Sequence, residues 1–533
     1  MKRWRPIGRP MGRPIGRGAV VAAALALLAT ACSGTSTTSP GPSSTGPAST
    51  SPASTGPAPV TLAQFDAQHL DWQPCSNGFQ CARLLVPFDY AHPGNGKRFS
   101  LPVIKLPASD ADPKTHKVGA LVVNPGGPGG SGVQYAQGAR SQFPAALRAR
   151  FDIVGFDPRG VAGSEPALTC MSGRQLDTFL AIDDMPANTA QLNQIVSASK
   201  QYAARCAQNS GSLLPYVGTE NAARDMDVLR AALGQAKLTY LGKSYGTYLG
   251  AWYAQLFPHR VRALVLDGAF DPDTPALQDD LVQAQGFQVA LKAFLTSCLA
   301  SADCPLGAQG SSVQAAEGRL KALVVRSNSR PLASHLGTGQ VADGAMLLNG
   351  VASALYSRSF WPDLKIGLAG AVHGDGSVLL QLADLLVERN PNGTYANLVD
   401  ADTAISCLDR PFPRSLAAWQ AAARQAAQAA PLFGAPIVWG NLTCAYWPVK
   451  SYPLPAIRAA GAPPILVVGT LRDPATPYRW AQALTRDLSS GVLLGWNGDG
   501  HTAYGEGSSC VDTIVNDYFV SLKVPRSGMV CSS

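Results

Sequence analysis

The stretch Leu238–Gly246, with the sequence LTYLGKSYG, decides the fold that this chain is predicted to adopt. It places the pattern G-x-S-x-G directly after a short apolar run that predicts a buried strand. In such a turn the serine takes a strained backbone conformation, and the glycines two residues away let the strand approach the helix that follows. Lys243 is an alternative base in a Ser–Lys pair, but adjacent side chains diverge at a sharp turn. The stretch therefore predicts Ser244 as a nucleophile at the carboxyl edge of a sheet.

On both sides of this turn, short apolar runs alternate with stretches of helical periodicity. The runs predict strands over Val118–Val123, Phe151–Phe156, Leu238–Leu241, Val261–Leu266, Pro464–Gly469 and Val492–Trp496. The periodic stretches predict helices over Asn221–Leu233, Tyr248–Phe257, Trp480–Leu488 and Val511–Leu522. Short, continuously apolar strands that alternate with helices are typical of a mostly parallel sheet with helices on both faces. The fold class is therefore predicted to be α/β.

The composition changes after Asp273. From there to about residue 455 the chain is rich in Ala, Leu and Gln, has helical periodicity and shows few clear strands. We therefore predict one α/β core in two parts, residues 72–272 and residues 459–533. A helical insertion over residues 273–458 would separate them.

The base and the acid that a serine nucleophile needs are predicted from chain order, because in this topology the acid and then the histidine follow the serine. Of the seven histidines, His501 follows Ser244 and lies in the second part of the core, just past a predicted strand. Asp473 follows another predicted strand and would hold the imidazole in the correct tautomer. Two other acids are alternatives. Asp267 would need a different branch of the fold, and Asp499 is too close along the chain to reach round the ring comfortably.

A glycine-rich loop, NPGGPGGSG at Asn124–Gly132, follows the predicted strand Val118–Val123. Glycines let backbone N–H groups come close to a developing oxyanion, so we predict the N–H groups of Gly127 and Tyr245 as its donors. The alternative is a phosphate-binding loop, but the stretch lacks the Lys-Ser/Thr ending and the G-x-G-x-x-G spacing. The stretch Asp157–Gly160, with the sequence DPRG, is interpreted as a structural turn.

Residues 1–32 are organised like a signal peptide. A basic start leads into the apolar run Val20–Leu28, which is too short to span about 30 Å of hydrocarbon permanently. Small residues and Cys32 follow, as in bacterial lipoprotein signals in which the cysteine is lipidated. Ala29 stands where such signals usually have Leu, and ordinary secretion is the alternative. Residues 33–60, almost entirely Ser, Thr, Pro, Gly and Ala, predict a flexible linker. The protein is predicted to be exported, either lipid-anchored to the outer face of the cell membrane or secreted.

Composition and charge exclude two broad classes of protein. Hydrophobic residues make up 46% of the chain and charged residues 15%, which excludes a wholly disordered chain. The formal net charge is +8, but six positive charges fall within residues 2–17 with no acid among them. Because a nucleic-acid-binding protein carries its positive charge on a folded face, we expect no nucleic acid partner.

Apart from Cys32, the chain has ten cysteines, and export makes disulfides chemically reasonable. Pairing of sequence neighbours, one of many possible connectivities, gives Cys75–Cys81, Cys170–Cys206, Cys298–Cys304, Cys407–Cys444 and Cys510–Cys531. The chain contains no CxxC pair and no His/Cys cluster with metal-ligand spacing. No metal, nucleotide or other cofactor is predicted.

Several motifs together resemble a known family. In chain order they are Asn124–Gly132, Gly155–Gly160, Gly242–Tyr248, Val265–Gly268, Asp473–Pro477 and Gly500–Thr502. The chain resembles secreted serine peptidases of the α/β-hydrolase fold, in the tripeptidyl aminopeptidase branch related to proline iminopeptidases. The resemblance implies a triad of Ser244, Asp473 and His501, a helical cap over the site, and the release of tripeptides from free N-termini. Lys243 departs from the residue that the family often has in this turn.

Three functions remain open at this stage. The first is an exported serine aminopeptidase acting through an acyl-enzyme, with a peptide substrate that has a free N-terminus. The second is an esterase or lipase with the same triad, and the third is a non-catalytic, lipid-anchored binding protein. An aminopeptidase also needs a carboxylate for the substrate's α-ammonium. The insertion offers Asp279, Asp280, Asp384 and Glu388, and the sequence does not choose among them.

Overall fold

A ten-stranded sheet runs through the structure, a computed structural model that describes residues 61–109, 116–454 and 456–532. Its strands are β1 (Gln73–Pro74), β2 (Gln80–Pro87), β3 (Arg98–Leu106), β4 (Gly119–Asn124), β5 (Phe151–Phe156), β6 (Leu238–Lys243), β7 (Val261–Asp267), β8 (Ile465–Arg472), β9 (Gly491–Asp499) and β10 (Met529–Ser532). Their order in space is β1-β2-β3-β5-β4-β6-β7-β8-β9-β10. The pairs β1–β2, β2–β3 and β3–β5 are antiparallel, and all the other neighbours are parallel.

The central strands are apolar along their whole length because both faces of the sheet are covered. Successive side chains of a strand point to opposite faces. Val122 of β4 therefore packs into one hydrophobic core, whereas its neighbours Leu121 and Val123 pack into the core on the other face. Every residue of β5 and β6 is buried. This two-sided burial produces the short apolar runs from which these strands were predicted.

The helices flank this sheet or lie between β7 and β8 in the chain. They are α1 (Leu62–Asp66), α2 (Gly132–Gln137), α3 (Ala139–Gln142), α4 (Ala145–Arg148), α5 (Gly173–Leu180), α6 (Thr189–Ser210), α7 (Thr219–Ala232), α8 (Tyr245–Leu256), α9 (Ala276–Leu299), α10 (Val313–Ser329), α11 (Gly344–Leu355), α12 (Trp361–Val372), α13 (Ser377–Leu386), α14 (Leu398–Asp409), α15 (Leu416–Ala429), α16 (Gly434–Gly440), α17 (Tyr478–Asp487) and α18 (Ser509–Ser521). Short 3-10 helices are Ser76–Gly78, Pro258–Arg260, Arg358–Phe360 and Leu442–Tyr446.

Helices α9 to α16 are called the cap here. Part of the cap has a hydrophobic core of its own, in which Leu291 of α9, Leu320 of α10 and Val351 of α11 are almost completely buried. A mostly parallel sheet with helices on both faces and a helical cap is an α/β-hydrolase fold. The structure therefore confirms the predicted fold class.

Two details differ from the sequence predictions. Helix α8 begins at Tyr245 and not at Tyr248, because Ser244 itself occupies the position that precedes the first helical turn. Strands β1 to β3 and β10 were not predicted. Buried and exposed side chains alternate along β3, which includes a proline, an arginine and a lysine, so it lacks the continuous apolar run that marks the parallel strands.

Five disulfides link residues of the described chain. They pair Cys75 with Cys81, Cys170 with Cys206, Cys298 with Cys304, Cys407 with Cys444 and Cys510 with Cys531. This number of disulfides indicates a protein that folds in an oxidising compartment outside the cytosol. Within the described ranges, no helix is both long and apolar enough to cross a membrane. The predicted signal peptide, the predicted linker and Cys32 lie outside the described residues.

Candidate active site

Ser244 lies in a sharp turn between β6 and α8, in a backbone conformation that L-amino acids rarely adopt. Its φ is 56° and its ψ is −129°. The turn is held because the Ser244 N–H donates to the Asp267 carbonyl at 2.9 Å, and the Thr247 N–H donates to the Ser244 carbonyl at 2.8 Å. A Cβ atom on Gly242 would lie 2.2 Å from the Gly246 carbonyl oxygen, so a larger residue would push strand and helix apart. The strain at Ser244 is thus sustained by the packing around it.

Asp473 and His501 are in direct contact. The His501 Nδ1 atom lies 2.9 and 3.0 Å from the two oxygens of the Asp473 carboxylate. The same carboxylate accepts hydrogen bonds from the N–H groups of Ala475, Thr476 and Thr502 at 2.9, 2.8 and 3.0 Å, and from the Thr476 hydroxyl at 3.1 Å. These hydrogen bonds fix the carboxylate in a position from which it can orient the imidazole.

The other edge of the imidazole faces the site. Ser244 and His501 line the same cavity, and His501 Nε2 is buried without a hydrogen-bond partner among the described residues. Catalytic hydrogen bonds of this kind are often long in a substrate-free enzyme and tighten when substrate is bound. The arrangement leaves Nε2 free to exchange a proton with a hydroxyl or an amine.

The alternative acids have other partners. Asp267 accepts from the N–H groups of Ala503 and Tyr504, both at 2.9 Å, so it fixes the loop after His501. Burial raises the pKa of Asp267 to about 6. Asp499 pairs with Arg472 and with Arg358. Neither carboxylate bonds to the imidazole.

Lys243 points away from the nucleophile. Its ammonium donates to the Tyr504 carbonyl at 2.8 Å and to Glu506 at 3.2 Å. Burial by itself lowers the pKa of Lys243, but the neighbouring Tyr135, Glu506 and Asp267 raise this pKa above its ordinary value. A lysine held in its charged form cannot act as the base of a Ser–Lys pair.

The glycine-rich loop packs against the turn that carries Ser244. A Cβ atom on Gly126, whose φ is 98°, would lie 2.6 Å from the Lys243 carbonyl oxygen and 3.0 Å from the Tyr245 nitrogen. Tyr245 is the first residue of α8, so its N–H has no partner within the helix. Gly127 and Tyr245 both line the cavity beside Ser244. The two predicted oxyanion donors therefore lie beside the close contact between the Gly126 backbone and the turn that carries Ser244.

The DPRG turn supports this loop. Asp157 accepts from the Ser131 hydroxyl at 2.6 Å and from the Val133 N–H at 3.1 Å, which anchors the far end of the glycine-rich loop. Arg159 is fully buried and forms an ion pair with Asp225. The turn is thus structural, and it acts on the site through the loop that it holds.

The cavity beside Ser244, called the acyl cavity here, has a volume of about 390 Å³ and is lined partly by the cap. Four cap carboxylates line it, those of Asp279, Asp280, Asp402 and Asp409. Asp384 and Glu388, two of the four sequence candidates for binding an amine, are not among its lining residues. The site therefore combines a serine and a histidine with an acidic surface contributed by the cap.

The four carboxylates differ in their partners. Asp279 forms an ion pair with Arg410, and burial lowers the pKa of Arg410 to about 10. Asp409 accepts from the N–H and the hydroxyl of Thr219. Burial raises the pKa of Asp409 to about 7 and that of Asp402 also to about 7.

Asp280, unlike Asp279, has no ion pair among the described residues. Asn441 Nδ2 donates to one of its oxygens at 2.9 Å. The other oxygen is buried and has no hydrogen-bond partner among the described residues. Burial raises the pKa of Asp280 well above its ordinary value. A carboxylate in this state gains most from a cationic ligand, because such a ligand supplies both a donor and a compensating charge.

Sequence reasoning missed Asp402, Asp409 and Arg410. Asp402 and Asp409 are seven residues apart in α14, a spacing that places both on one side of a helix. That spacing was visible in the sequence, but nothing there showed that this side faces Ser244. Within the described ranges, no group of three or more His, Cys, Asp or Glu side chains is placed to hold a metal ion.

Comparison with known proteins places the chain among related enzymes. A family described as "TAP-like protein" matches residues 430–531. The serine protease Hip1 of Mycobacterium tuberculosis is 39% identical over 482 residues, covering 87% of this chain and 91% of that protein. Carboxylesterase B of the same species is 36% identical, covering 85% and 86%. The tripeptidyl aminopeptidase of Streptomyces lividans is 33% identical, covering 87% and 86%.

These relatives cover most of the chain, and their names divide between peptidases and an esterase. The relatives, the fold and the candidate site all indicate a serine hydrolase. This chain belongs to the TAP-like family of α/β-hydrolase-fold serine hydrolases.

Proposed function

We propose that this protein is a serine aminopeptidase that releases short peptides, most simply tripeptides, from substrates with a free N-terminus. One observation carries the proposal. The acyl cavity that contains Ser244 and His501 also contains Asp280, a buried carboxylate whose second oxygen has no partner among the described residues. An esterase has no use for an unpaired carboxylate in its acyl site, whereas an aminopeptidase needs one for the α-ammonium.

The chemistry follows from the geometry of the three residues. Ser244 Oγ attacks the peptide carbonyl while His501 Nε2 takes its proton, and Asp473 stabilises the resulting imidazolium. The N–H groups of Gly127 and Tyr245 donate to the oxyanion of the tetrahedral intermediate. His501 then gives the proton to the leaving amine, and the C–N bond breaks to leave an acyl-enzyme. Water, deprotonated by His501, hydrolyses the ester and restores Ser244.

Asp280 selects substrates by charge in this proposal. Burial disfavours the charged form of Asp280 in the free enzyme and raises its pKa. An α-ammonium beside it favours the carboxylate and compensates the cost of its burial. The name of the Streptomyces lividans relative, tripeptidyl aminopeptidase, supports a cleavage site three residues from the amine.

The second candidate is a carboxylesterase. The Mycobacterium tuberculosis relative named carboxylesterase B supports it, since it aligns over 85% of this chain. The same serine, histidine and oxyanion donors hydrolyse esters, so the triad does not separate the two functions.

The cellular location is part of the proposal. The enzyme is exported, and Cys32 is lipidated after the signal peptide is removed, so that residues 33–60 tether the catalytic domain to the outer face of the cell membrane. The five disulfides support export.

The test compares three substrates that share one acyl sequence. They are a tripeptidyl p-nitroanilide with a free N-terminus, its N-acetylated form, and a simple p-nitrophenyl ester. Acetylation should lower kcat/KM by about 100-fold, because it removes the charge that Asp280 binds. Ser244→Ala is the control and should abolish turnover of all three. Indifference to acetylation together with fast turnover of the ester would establish the esterase instead.

A further inference from the structure

A second cavity, of about 310 Å³, lies on the catalytic loop and is called the leaving-side cavity here. Tyr356 and His501 line both this cavity and the acyl cavity, so the two cavities are neighbours on either side of these residues. One wall is the cap segment 357–359, and the opposite wall is formed by residues 496–500 and 505–507 of the core. Its volume falls at the lower end of the range of about 300–1,000 Å³ that is typical of ligand sites.

The two walls are fastened to each other beside the catalytic histidine. The His501 N–H donates to the Tyr356 carbonyl at 2.7 Å. Ser357 and Gly500 form an isolated antiparallel bridge. A Cβ atom on Gly500 would lie 2.9 Å from the Tyr356 carbonyl oxygen, so the backbones are in close contact. The cavity therefore has a fixed position relative to the imidazole.

The order of events in peptide cleavage indicates which part of a substrate lies near the leaving-side cavity. The acyl part of a substrate occupies the cavity that holds the carboxylates and Ser244. The imidazole must reach the nitrogen of the leaving amine to protonate it, so the leaving segment departs past His501. A peptide substrate, unlike a simple ester or amide, has further residues beyond that nitrogen.

We propose that the leaving-side cavity binds the residues of a peptide substrate that follow the cleaved bond, with Arg358 contacting an acidic group in that segment. The inference rests on the proposed aminopeptidase function. It adds a preference for peptides with acidic residues after the scissile bond.

Charge on the cavity wall identifies Arg358 as the contact. Arg472 bonds to Asp499 and to Asn497, and Glu506 pairs with Lys243. The side chain of Arg358 is 67% exposed, and its one ion pair among the described residues, with Asp499, is long at 3.4 Å. A guanidinium has five N–H donors, so most of those on Arg358 remain available for a carboxylate.

The experiment varies the leaving segment and holds the acyl tripeptide constant. The substrates are a p-nitroanilide and two longer peptides, in which the tripeptide is followed by Glu-Glu-amide or by Lys-Lys-amide. The enzymes are wild type, Arg358→Gln and Arg358→Glu, with Arg330→Glu as a matched control on an exposed cap arginine outside both cavities. The quantity measured is the ratio of kcat/KM for the Glu-Glu substrate to that for the Lys-Lys substrate.

Wild type should favour Glu-Glu about fivefold, the size expected of a solvent-exposed ion pair. Arg358→Gln should remove the preference, Arg358→Glu should invert it, and Arg330→Glu should leave it unchanged. The p-nitroanilide, which has no amino-acid residues beyond the scissile bond, should be cleaved equally by wild type and Arg330→Glu. A ratio that stays the same in Arg358→Glu overturns the inference, as does an equal loss on both peptides, which a purely structural role would produce. Failure of wild type to cleave the p-nitroanilide overturns the aminopeptidase function itself, and this inference with it.

Discussion

The sheet core and the cap each contribute a buried aspartate to the active site, and the two are bonded in opposite ways. In the core, Asp473 accepts hydrogen bonds from three backbone N–H groups and a hydroxyl in addition to His501. In the cap, Asp280 receives one bond, from Asn441, and its other oxygen has no partner among the described residues. The core thus supplies a carboxylate whose position is already fixed by hydrogen bonds, whereas the cap supplies one with an oxygen left for a ligand.

The difference between Asp473 and Asp280 fits the proposed division of tasks, in which the core performs catalysis and the cap recognises the substrate. The proposed catalytic side chains, those of Ser244, Asp473 and His501, follow the carboxyl ends of β6, β8 and β9, where backbone hydrogen bonds hold the turns. The acidic lining comes from the cap helices α9 and α14. Substrate preference can therefore change through the cap while the chemistry is unchanged.

The largest expected effect comes from the core. Asp473→Asn should lower kcat by about 10³–10⁴-fold on peptide and ester substrates alike, because the amide stabilises the wrong tautomer of the imidazole. Steady-state kinetics on the three matched substrates checks this, with Asp303→Asn, an exposed cap residue, as the control. A loss of kcat confined to the peptide substrate would contradict the prediction, because Asp473 would then act in substrate recognition, as Asp280 is proposed to do.

The next effect comes from the cap. Asp280→Asn should lower kcat/KM on tripeptidyl substrates with a free amine by about 100-fold, since the ammonium then lacks a buried counter-charge. Turnover of the acetylated substrate and of the ester should stay within about twofold of wild type. Equal losses on all three substrates would mean that Asp280 supports the catalytic machinery and not the recognition of an amine.

A smaller effect is expected from pH. Burial raises the pKa of Asp409 to about 7 and that of Asp402 to about 7, so both are largely neutral at pH 6 and become ionised as the pH rises. The acyl cavity is then more negative, and the α-amine is still charged below its pKa of about 7.7–8.0. The kcat/KM ratio of the free-amine substrate to the ester should rise about threefold between pH 6 and pH 7.5. A ratio that is constant over this interval would contradict the prediction.

The smallest effect concerns stability. Because burial raises the pKa of Asp280, the folded state keeps a proton that the unfolded chain loses above about pH 4, so the free energy of unfolding falls as the pH rises. Asp280→Asn removes this loss and keeps an oxygen for Asn441. The variant should therefore be more stable than wild type at pH 8 by on the order of 1 kcal/mol, with a smaller difference at pH 4.5.

Urea unfolding at the two pH values measures this difference. Asp473→Asn provides the contrast, because it replaces with an NH2 group one of the two oxygens that accept from three backbone N–H groups, and it should destabilise the protein at both pH values. An Asp280→Asn variant that is less stable than wild type at pH 8 would show that the unpaired oxygen has no energetic cost.

The predictability of the core follows from its burial. The strand Phe151–Phe156 was predicted with the bounds that the structure has, because a strand covered on both faces is apolar throughout. Strands β2 and β3 escaped prediction because they lie towards one edge of the sheet, where polar residues interrupt the pattern. Sequence order also nominated Asp473 and His501 as a pair, and the structure places them in contact.

The sequence by itself determined the elements whose signal is local: the strained turn at Ser244, the apolar strands around it and the glycines that let chain segments approach. Only the tertiary structure decided which of the cap acids face the nucleophile and which of their oxygens lack a partner. The physical reason is that periodicity shows which residues of a helix share a side, but not what that side packs against. Asp280 and Asp384 are alike in sequence, yet only Asp280 lines the acyl cavity.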